Sequence, residues 1–357
     1  MIISMASDSS SSFFGWVAKD KSAAKGNLDF TEFTPKPFTD DDIDIKITHC
    51  GVCMSDIHTL RSGWAETDYP IVVGHEIVGN VVRKGKNVMD LEIGDRVGVG
   101  AQCYSCLNCD QCRKGNESYC ADHVWTYGMR FADGAKSNGG YAEYGRYPAS
   151  FAFKLPESIP SEIVAPMLCG GLTVYSPLKR YGAGPGKTIG IVGIGGLGHF
   201  GILFASALGA TKIYAISRTR SKEADVHTMG ATDFIATAEP GWVENNLQSI
   251  DLIVCTANDT SIPMSDYLRL LKFGGTLVQV GVPEGGLPEF DLSPFLFNNV
   301  HLTGTIIGGR QEMKDMLKMA ATKKINSWIE TKPMSNVNEV VQLMGDGKAH
   351  YRYVLVN

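Results

Sequence analysis

No stretch of this chain reaches the roughly 20 apolar residues that a membrane-spanning helix needs. The first residues, Met1–Ser12, are rich in serine and lack a basic patch followed by an apolar run. They read as a loose tail, not as a secretory leader, and the expected compartment is the cytoplasm. Positive charge is not in excess: the formal net charge is −5. That balance speaks against a nucleic acid or an anionic membrane surface as partner. Internal repeats and long low-complexity segments are also missing.

What is present is a 357-residue chain that is 44% hydrophobic, enough for two domains and a sizeable core. Two textures divide it. From about Phe13 to Leu155, short β-type runs (Ile43–Thr48, Ile71–Val73, Ile77–Val82, Arg96–Val99) alternate with glycine turns. After about Pro166, strands and helices alternate. The runs Thr188–Ile194, Lys212–Ser217, Asp251–Cys255, Thr276–Val282 and Leu302–Ile307 read as strands. One helix ends at Gly209, another at Met229-Gly230, and a later one spans Met313–Ala321. This alternation implies an α/β chain with a doubly wound parallel sheet. A last short strand, Arg352–Val356, is expected to return to the first region.

The chain has nine cysteines, an odd number, and no need of disulfide staples at this length. Cys106, Cys109, Cys112 and Cys120 are spaced so that one looping segment can offer four thiolates to a tetrahedral zinc. Four protein ligands close such a site, so its role is structural. A redox pair or an iron–sulfur cluster shares some of the spacing, but only one set is present and no proline follows the last cysteine. Cys103 reads as loop or core. Cys53, His75 and Cys169 are far apart, and each alone reads as a core residue sooner than as a ligand.

A glycine loop, Gly193-Ile194-Gly195-Gly196-Leu197-Gly198, follows a strand and opens a helix. In that setting the glycines allow a tight turn, close approach of a pyrophosphate and helix–strand packing. The next strand ends in Ser217-Arg218-Thr219-Arg220-Ser221-Lys222. It carries no carboxylate for a ribose hydroxyl, and its cations suit a 2′-phosphate, hence NADP(H) in preference to NAD(H).

The run Gly74-His75-Glu76-x2-Gly79-x5-Gly85-x2-Val88, the four-cysteine segment and Cys169-Gly170-Gly171-Leu172-Thr173 resemble the zinc-containing medium-chain dehydrogenases. The likeness covers nearly the whole chain after the tail. It is nearest the cinnamyl alcohol dehydrogenase branch and the broad-specificity fungal NADPH enzymes within it. The resemblance implies a GroES-like mostly-β catalytic domain, residues 1–164 plus 305–357, around a Rossmann domain, residues 165–304. It implies Cys53, His75 and Cys169 as catalytic-zinc ligands, with Glu76 beside the metal or on it. Asp56 would buttress the site through a histidine nitrogen. A proton relay would run from His58 through the cofactor ribose and Ser55 to the substrate oxygen. Read alone, Ser55 is a helix cap and His58 a surface side chain.

By the same resemblance, Ser217, Arg218 and Lys222 hold the 2′-phosphate, with Arg220 turned to solvent. Thr173, Val280, Gly281 and Thr305 line the nicotinamide, and Arg352 reaches the pyrophosphate. Leu60, Trp64 and Trp125 are candidate pocket walls, with Phe297 and Ile306 as further candidates. The implied protein holds two zinc ions per chain and NADP(H), and forms a homodimer through the strand near Leu302–Ile307. The implied reaction is hydride transfer between NADP(H) and a primary alcohol/aldehyde pair, chiefly reduction of aromatic and medium-chain aldehydes. A reductase of iminium or enal substrates on the same scaffold is the alternative.

Overall fold

The computed structural model describes residues 12–286 and 288–357. Apart from Ser12, the expected tail lies outside the described residues. The first region is organised by strand β1 (Asp42–Val52), which buries Ile43, Ile45 and Ile47. β2 (Glu76–Lys84) pairs antiparallel along it, and β3 (Arg96–Val99) pairs with β2. β4 (Tyr144–Pro148) lies on the other side of the start of β1, and β5 (Ala152–Lys154) adds to β3. Three of the four anticipated runs lie in these strands. Ile71–Val73 does not: Ile71 makes one bridge to Ala18. The carbonyls of Val72 and Val73 accept from the amides of Gly139 and Tyr141 at 2.7 and 3.0 Å. The segment satisfies its backbone without a ladder.

The second region is a six-stranded parallel sheet. Its strands are β6 (Thr188–Val192), β7 (Lys212–Ser217), β8 (Asp233–Ala236), β9 (Ile250–Cys255), β10 (Leu271–Gln279) and β11 (His301–Gly304). The spatial order is β8-β7-β6-β9-β10-β11. The order reverses between β6 and β9, and ligands of such sheets bind outside the strand C-termini at that point. β8 went unforeseen because four residues between threonines are too short to carry a period.

Four helices place the functional residues: α1 (Met54–Leu60), α2 (Gly170–Arg180), α3 (Gly198–Ala207) and α4 (Arg310–Lys323). Finally β12 (Ile329–Pro333) and β13 (Arg352–Val356) close onto the first sheet, with β13 antiparallel to β1. Tyr353 pairs with Val52, which sets Arg352 beside the start of α1. One buried cluster runs from Phe153, Leu168 and Leu172 to Phe200, Val254 and Met316. It therefore spans both sheets. Each such side chain contributes roughly 1.5–3 kcal/mol on burial, so the cleft between the sheets is held by shared core.

Candidate active site and metal centres

Cys53 joins β1 to α1 as the cap of that helix, His75 precedes β2, Glu76 opens it, and Cys169 precedes α2. The β1–β2 register puts Gly51 opposite Glu76. A Cβ on Gly51 would lie 2.0 Å from a Glu76 carboxylate oxygen, so glycine makes room for that carboxylate. One donor atom from each of Cys53, His75, Glu76 and Cys169 falls within 4.8 Å of the others, and all four residues are buried. His75 Nε2 and Glu76 Oε2 have no hydrogen-bond partner among the described residues. Buried unpartnered donor and acceptor atoms are costly. A zinc ion among two thiolates, an imidazole and an oxygen removes that cost, so the residues fit the metal.

The electrostatics agree with that fit. The Cys169 thiol, hydrogen-bonding to Cys53, holds the Cys53 thiol well below the usual range against burial. The same contact and burial push Cys169 up. Burial pulls His75 down, but the charges of Asp56 and Cys53 outweigh it and raise the ring to about 9. Burial pushes Glu76 up to about 7, with Arg352 opposing. Asp56 accepts from the Cys53 amide (2.9 Å), the Gly74 amide (3.2 Å) and the Tyr141 hydroxyl (2.9 Å). Its carboxylate is 3.9 Å from His75 Nδ1. The expected buttress thus acts by fixing the backbone that bears the two ligands, with only a charge interaction at the ring.

The second cluster is the lobe of Cys106, Cys109, Cys112 and Cys120, whose sulfurs also lie within 4.8 Å of one another. Amides of Asn108 and Cys109 donate to Cys106 and lower its thiol to about 7, whereas burial raises Cys112 to about 12. Loop amides aimed at sulfur favour the thiolate that a metal requires. The lobe also grips the segment leading into α4. Glu117 Oε2 accepts from the Arg310 amide at 3.1 Å, and the Ile306 amide donates to the Tyr119 hydroxyl at 3.3 Å. Cys103 is fully buried core, as expected.

The relay candidates sit on α1. Ser55 Oγ lies 3.5 Å from Cys53 Sγ. His58 is only 4% exposed, so it is no surface side chain. Its ring stacks on Trp64, with centroids 4.4 Å apart. Its Nδ1 contacts Glu284 Oε1, from the loop after β10. Arg61 Nε donates to the same oxygen at 2.8 Å, and Trp64 Nε1 donates to the Val282 carbonyl at 3.0 Å. Arg61 and Glu284 were missed in the sequence. A single glutamate in a glycine-proline loop, 226 residues from its histidine, gives no local signal.

In the glycine loop, Gly193 has φ +83°, and a Cβ on Gly198 would lie 2.0 Å from the Gly193 carbonyl. The first helical bond runs from the His199 amide to the Gly195 carbonyl, leaving the preceding amides without intrahelical partners. A Cβ on Gly195 would meet no protein atom within 4 Å. The protein itself therefore does not require glycine there, whereas a phosphate seated on the loop would; the loop fits a dinucleotide. Gly196 and Leu197 complete the turn, and Lys222 Nζ donates to the Ile194 carbonyl at 2.5 Å. Ser217 ends β7. Arg218 is exposed and its guanidinium forms no ion pair among the described residues. Arg220 is exposed, and at the surface it pairs with Glu239 at 2.6 Å and Glu223 at 2.7 Å.

Residues 39–157 match the alcohol dehydrogenase GroES-like domain, and residues 196–322 match the zinc-binding dehydrogenase domain. The chain belongs to the zinc-binding alcohol dehydrogenases. It is 46% identical over 331 residues to NADP-dependent alcohol dehydrogenase 6 of Saccharomyces cerevisiae, covering 91% of each chain. Among solved structures it resembles a cinnamyl alcohol dehydrogenase of Sorghum bicolor, with TM-score 0.91, 33% identity and 97% of both chains covered. It also resembles a Helicobacter pylori cinnamyl alcohol dehydrogenase complexed with NADP(H), with TM-score 0.89, 31% identity and coverage of 97% and 98%.

Within this zinc-binding alcohol dehydrogenase, the remaining candidates separate. Arg352 is buried with its guanidinium on Glu76 Oε1. It also lies against the glycine loop, since a Cβ on Gly196 would sit 2.9 Å from its Nη1. It is therefore shared between metal cluster and loop, not given over to the loop alone. Thr173 is buried in α2, Val280 and Gly281 follow β10, and the buried Thr305 hydroxyl has no partner among the described residues. Trp64 is exposed, stacked on His58 and bonded to the Val282 carbonyl. Trp125 is half-buried and packs against the shared core. Leu60 is fully buried within the first region's core and cannot be a pocket wall of this chain. Phe297 is 81% exposed on the short helix Ser293–Asn298, and Ile306 is also exposed.

Proposed function

We propose that this chain reduces aldehydes with NADPH at a catalytic zinc, acting on uncharged aromatic and medium-chain aldehydes of the cinnamaldehyde type, with alcohol oxidation as the reverse. The observation that carries the reading is the buried Cys53, His75, Glu76, Cys169 cluster with two donor atoms left unpartnered. The glycine loop and Arg218, without an ion pair among the described residues, support the cofactor, as does the likeness to the yeast NADP-dependent alcohol dehydrogenase and to the Helicobacter enzyme complexed with NADP(H). When bound, zinc supplies Lewis acidity toward the carbonyl oxygen and NADPH supplies the hydride.

Cys53, His75 and Cys169 hold the metal, their two thiolates offsetting its charge, and Glu76 is the alternative fourth donor. His58 gives up a proton that reaches the substrate oxygen through Ser55, and Asp56 keeps the ligand-bearing backbone in place. Ser217, Arg218 and Lys222 grip the 2′-phosphate; Gly193–Gly198 and Arg352 receive the pyrophosphate. Thr173, Val280, Gly281 and Thr305 flank the nicotinamide, while Trp64 and Trp125 give the substrate apolar aromatic surface. The cysteine lobe holds a second, structural zinc.

In this reading, residues 1–164 and 305–357 form the catalytic domain and 165–304 the cofactor domain. The protein works in the cytoplasm as a homodimer. β11 is the outer strand of its sheet, and exposed Leu296 and Phe297 stand near its start, which supports pairing there.

The test is nicotinamide absorbance with NADPH or NADH and cinnamaldehyde, benzaldehyde, hexanal and a short-chain aldehyde. Fast, NADPH-selective reduction of the larger aldehydes is expected. Arg218→Asp is expected to cut the preference for NADPH over NADH ~100-fold, about 2.7 kcal/mol. Equal use of both cofactors by the parent overturns the phosphate assignment. A protein that carries zinc and binds NADPH but leaves the whole panel untouched points to an iminium or enal substrate.

A further inference from the structure

We infer that Glu284 is a positioning residue for His58, fixing the ring and its proton-bearing nitrogen from the opposite side of the cleft. The inference rests on the reading of His58 as proton donor. A carboxylate oxygen only accepts, so the His58 Nδ1 that touches Glu284 Oε1 carries the hydrogen. Arg61 Nη2 lies 3.1 Å from the same nitrogen, but two donors cannot bond each other, and Arg61 instead serves the carboxylate through Nε. Nε2 is then the atom that gains and loses the proton. Its nearest partner is loose: Asn258 Nδ2 at 3.5 Å.

Two further features make this a built arrangement. A Cβ on Gly63 would sit 1.8 Å from Glu284 Oε1, so the absence of a side chain there admits the carboxylate. Trp64 lies flat on the His58 ring and is tied to Val282, in the same loop as Glu284. The ring is thus held on its face by Trp64 and on one edge by Glu284, from the segment that follows β10. The groups facing His58 among the described residues are Glu284, Arg61, and the uncharged Asn258 and Trp64. A carboxylate in contact fixes which ring nitrogen carries the hydrogen.

The test is Glu284→Gln, which keeps the size and an acceptor oxygen but removes the charge. kcat for reduction is expected to fall roughly tenfold, with zinc content and KM for NADPH as in the parent. The imidazole nitrogen shifts of His58 should report hydrogen on Nδ1 in the parent and a tautomer mixture in the variant. Arg61→Ala removes the cross-cleft ion pair but keeps the His58–Glu284 contact, so it should leave kcat and the nitrogen shifts near those of the parent. An unchanged kcat and an unchanged tautomer in Glu284→Gln, with both variants merely raising KM for NADPH, overturn the inference in favour of a simple latch. His58→Gln separates the underlying reading: full turnover in that variant removes the relay itself. Lost turnover there with an unchanged kcat in Glu284→Gln keeps the relay and rejects the positioning role.

Discussion

The cysteine lobe and the cleft cluster each gather four donor atoms within 4.8 Å, but by different routes. The lobe draws all four from one continuous loop, Cys106–Cys120, and two of its cysteines remain partly open to solvent. Its sulfurs are steadied by the amides of that same loop. The cleft cluster draws on three segments brought together by a strand pair and a helix start, and every member is buried. Its charges are balanced by residues from yet other places, Asp56 on α1 and Arg352 on β13. A site built within one loop is closed and self-sufficient. A mixed site built from the fold depends on that fold, and its unpartnered His75 Nε2 and Glu76 Oε2 suit a metal whose fourth position is exchangeable.

That contrast can be broken in graded ways. Cys109→Ala should cost the lobe its zinc and lower Tm by about 10 °C or more, because structural zinc contributes directly to folding. The folded fraction should still reduce aldehyde. Calorimetry with metal analysis checks this; an unchanged Tm would remove the structural role. Arg352→Met leaves Glu76 buried without its counter-charge and should cost about 3–5 kcal/mol in denaturant titration. A loss below about 1 kcal/mol would mean that Glu76 is already neutral or satisfied otherwise.

The smallest effect concerns pH in the metal-stripped protein. The folded pKa values of His75, about 9, and Glu76, about 7, both lie above their ordinary values. Folding therefore takes up protons at both sites. The stability from Glu76 is complete below its ordinary range and lost as pH rises through about 7; that from His75 is complete below the ordinary histidine range and lost through about 9. Between pH 6 and 9 these two contributions should fall together by on the order of 4 kcal/mol, against the opposite contribution of the lowered Cys53 thiol, which grows over the same range. The zinc-loaded protein, whose ligands are already deprotonated, should stay flatter. A parallel decline in both forms would contradict the assignment of these two residues as metal ligands.

The same contrast explains what could be read in advance. The lobe was legible from spacing alone because its ligands are neighbours in sequence. The cofactor sheet was legible because apolar strands and glycine turns are local, and β7, β3 and β13 match their anticipated spans residue for residue. The cleft donors needed a family resemblance, since nothing near Cys53 indicates that Cys169 will face it. Glu284, Arg61, Glu117 and Tyr141 were invisible because their roles arise from contacts made by folding. Leu60 misled for a related reason: its position on α1 suggested the pocket, but the helix turns that residue into the core.

The central claim, that chemistry belongs to the cleft cluster and architecture to the lobe, is tested most directly by Cys169→Ala. Zinc content and NADPH-dependent reduction of cinnamaldehyde are measured on the same folded preparation. The account predicts one zinc per chain, retained by the lobe, and turnover lowered at least ~1,000-fold, about 4 kcal/mol of barrier. One zinc per chain with full turnover would contradict it.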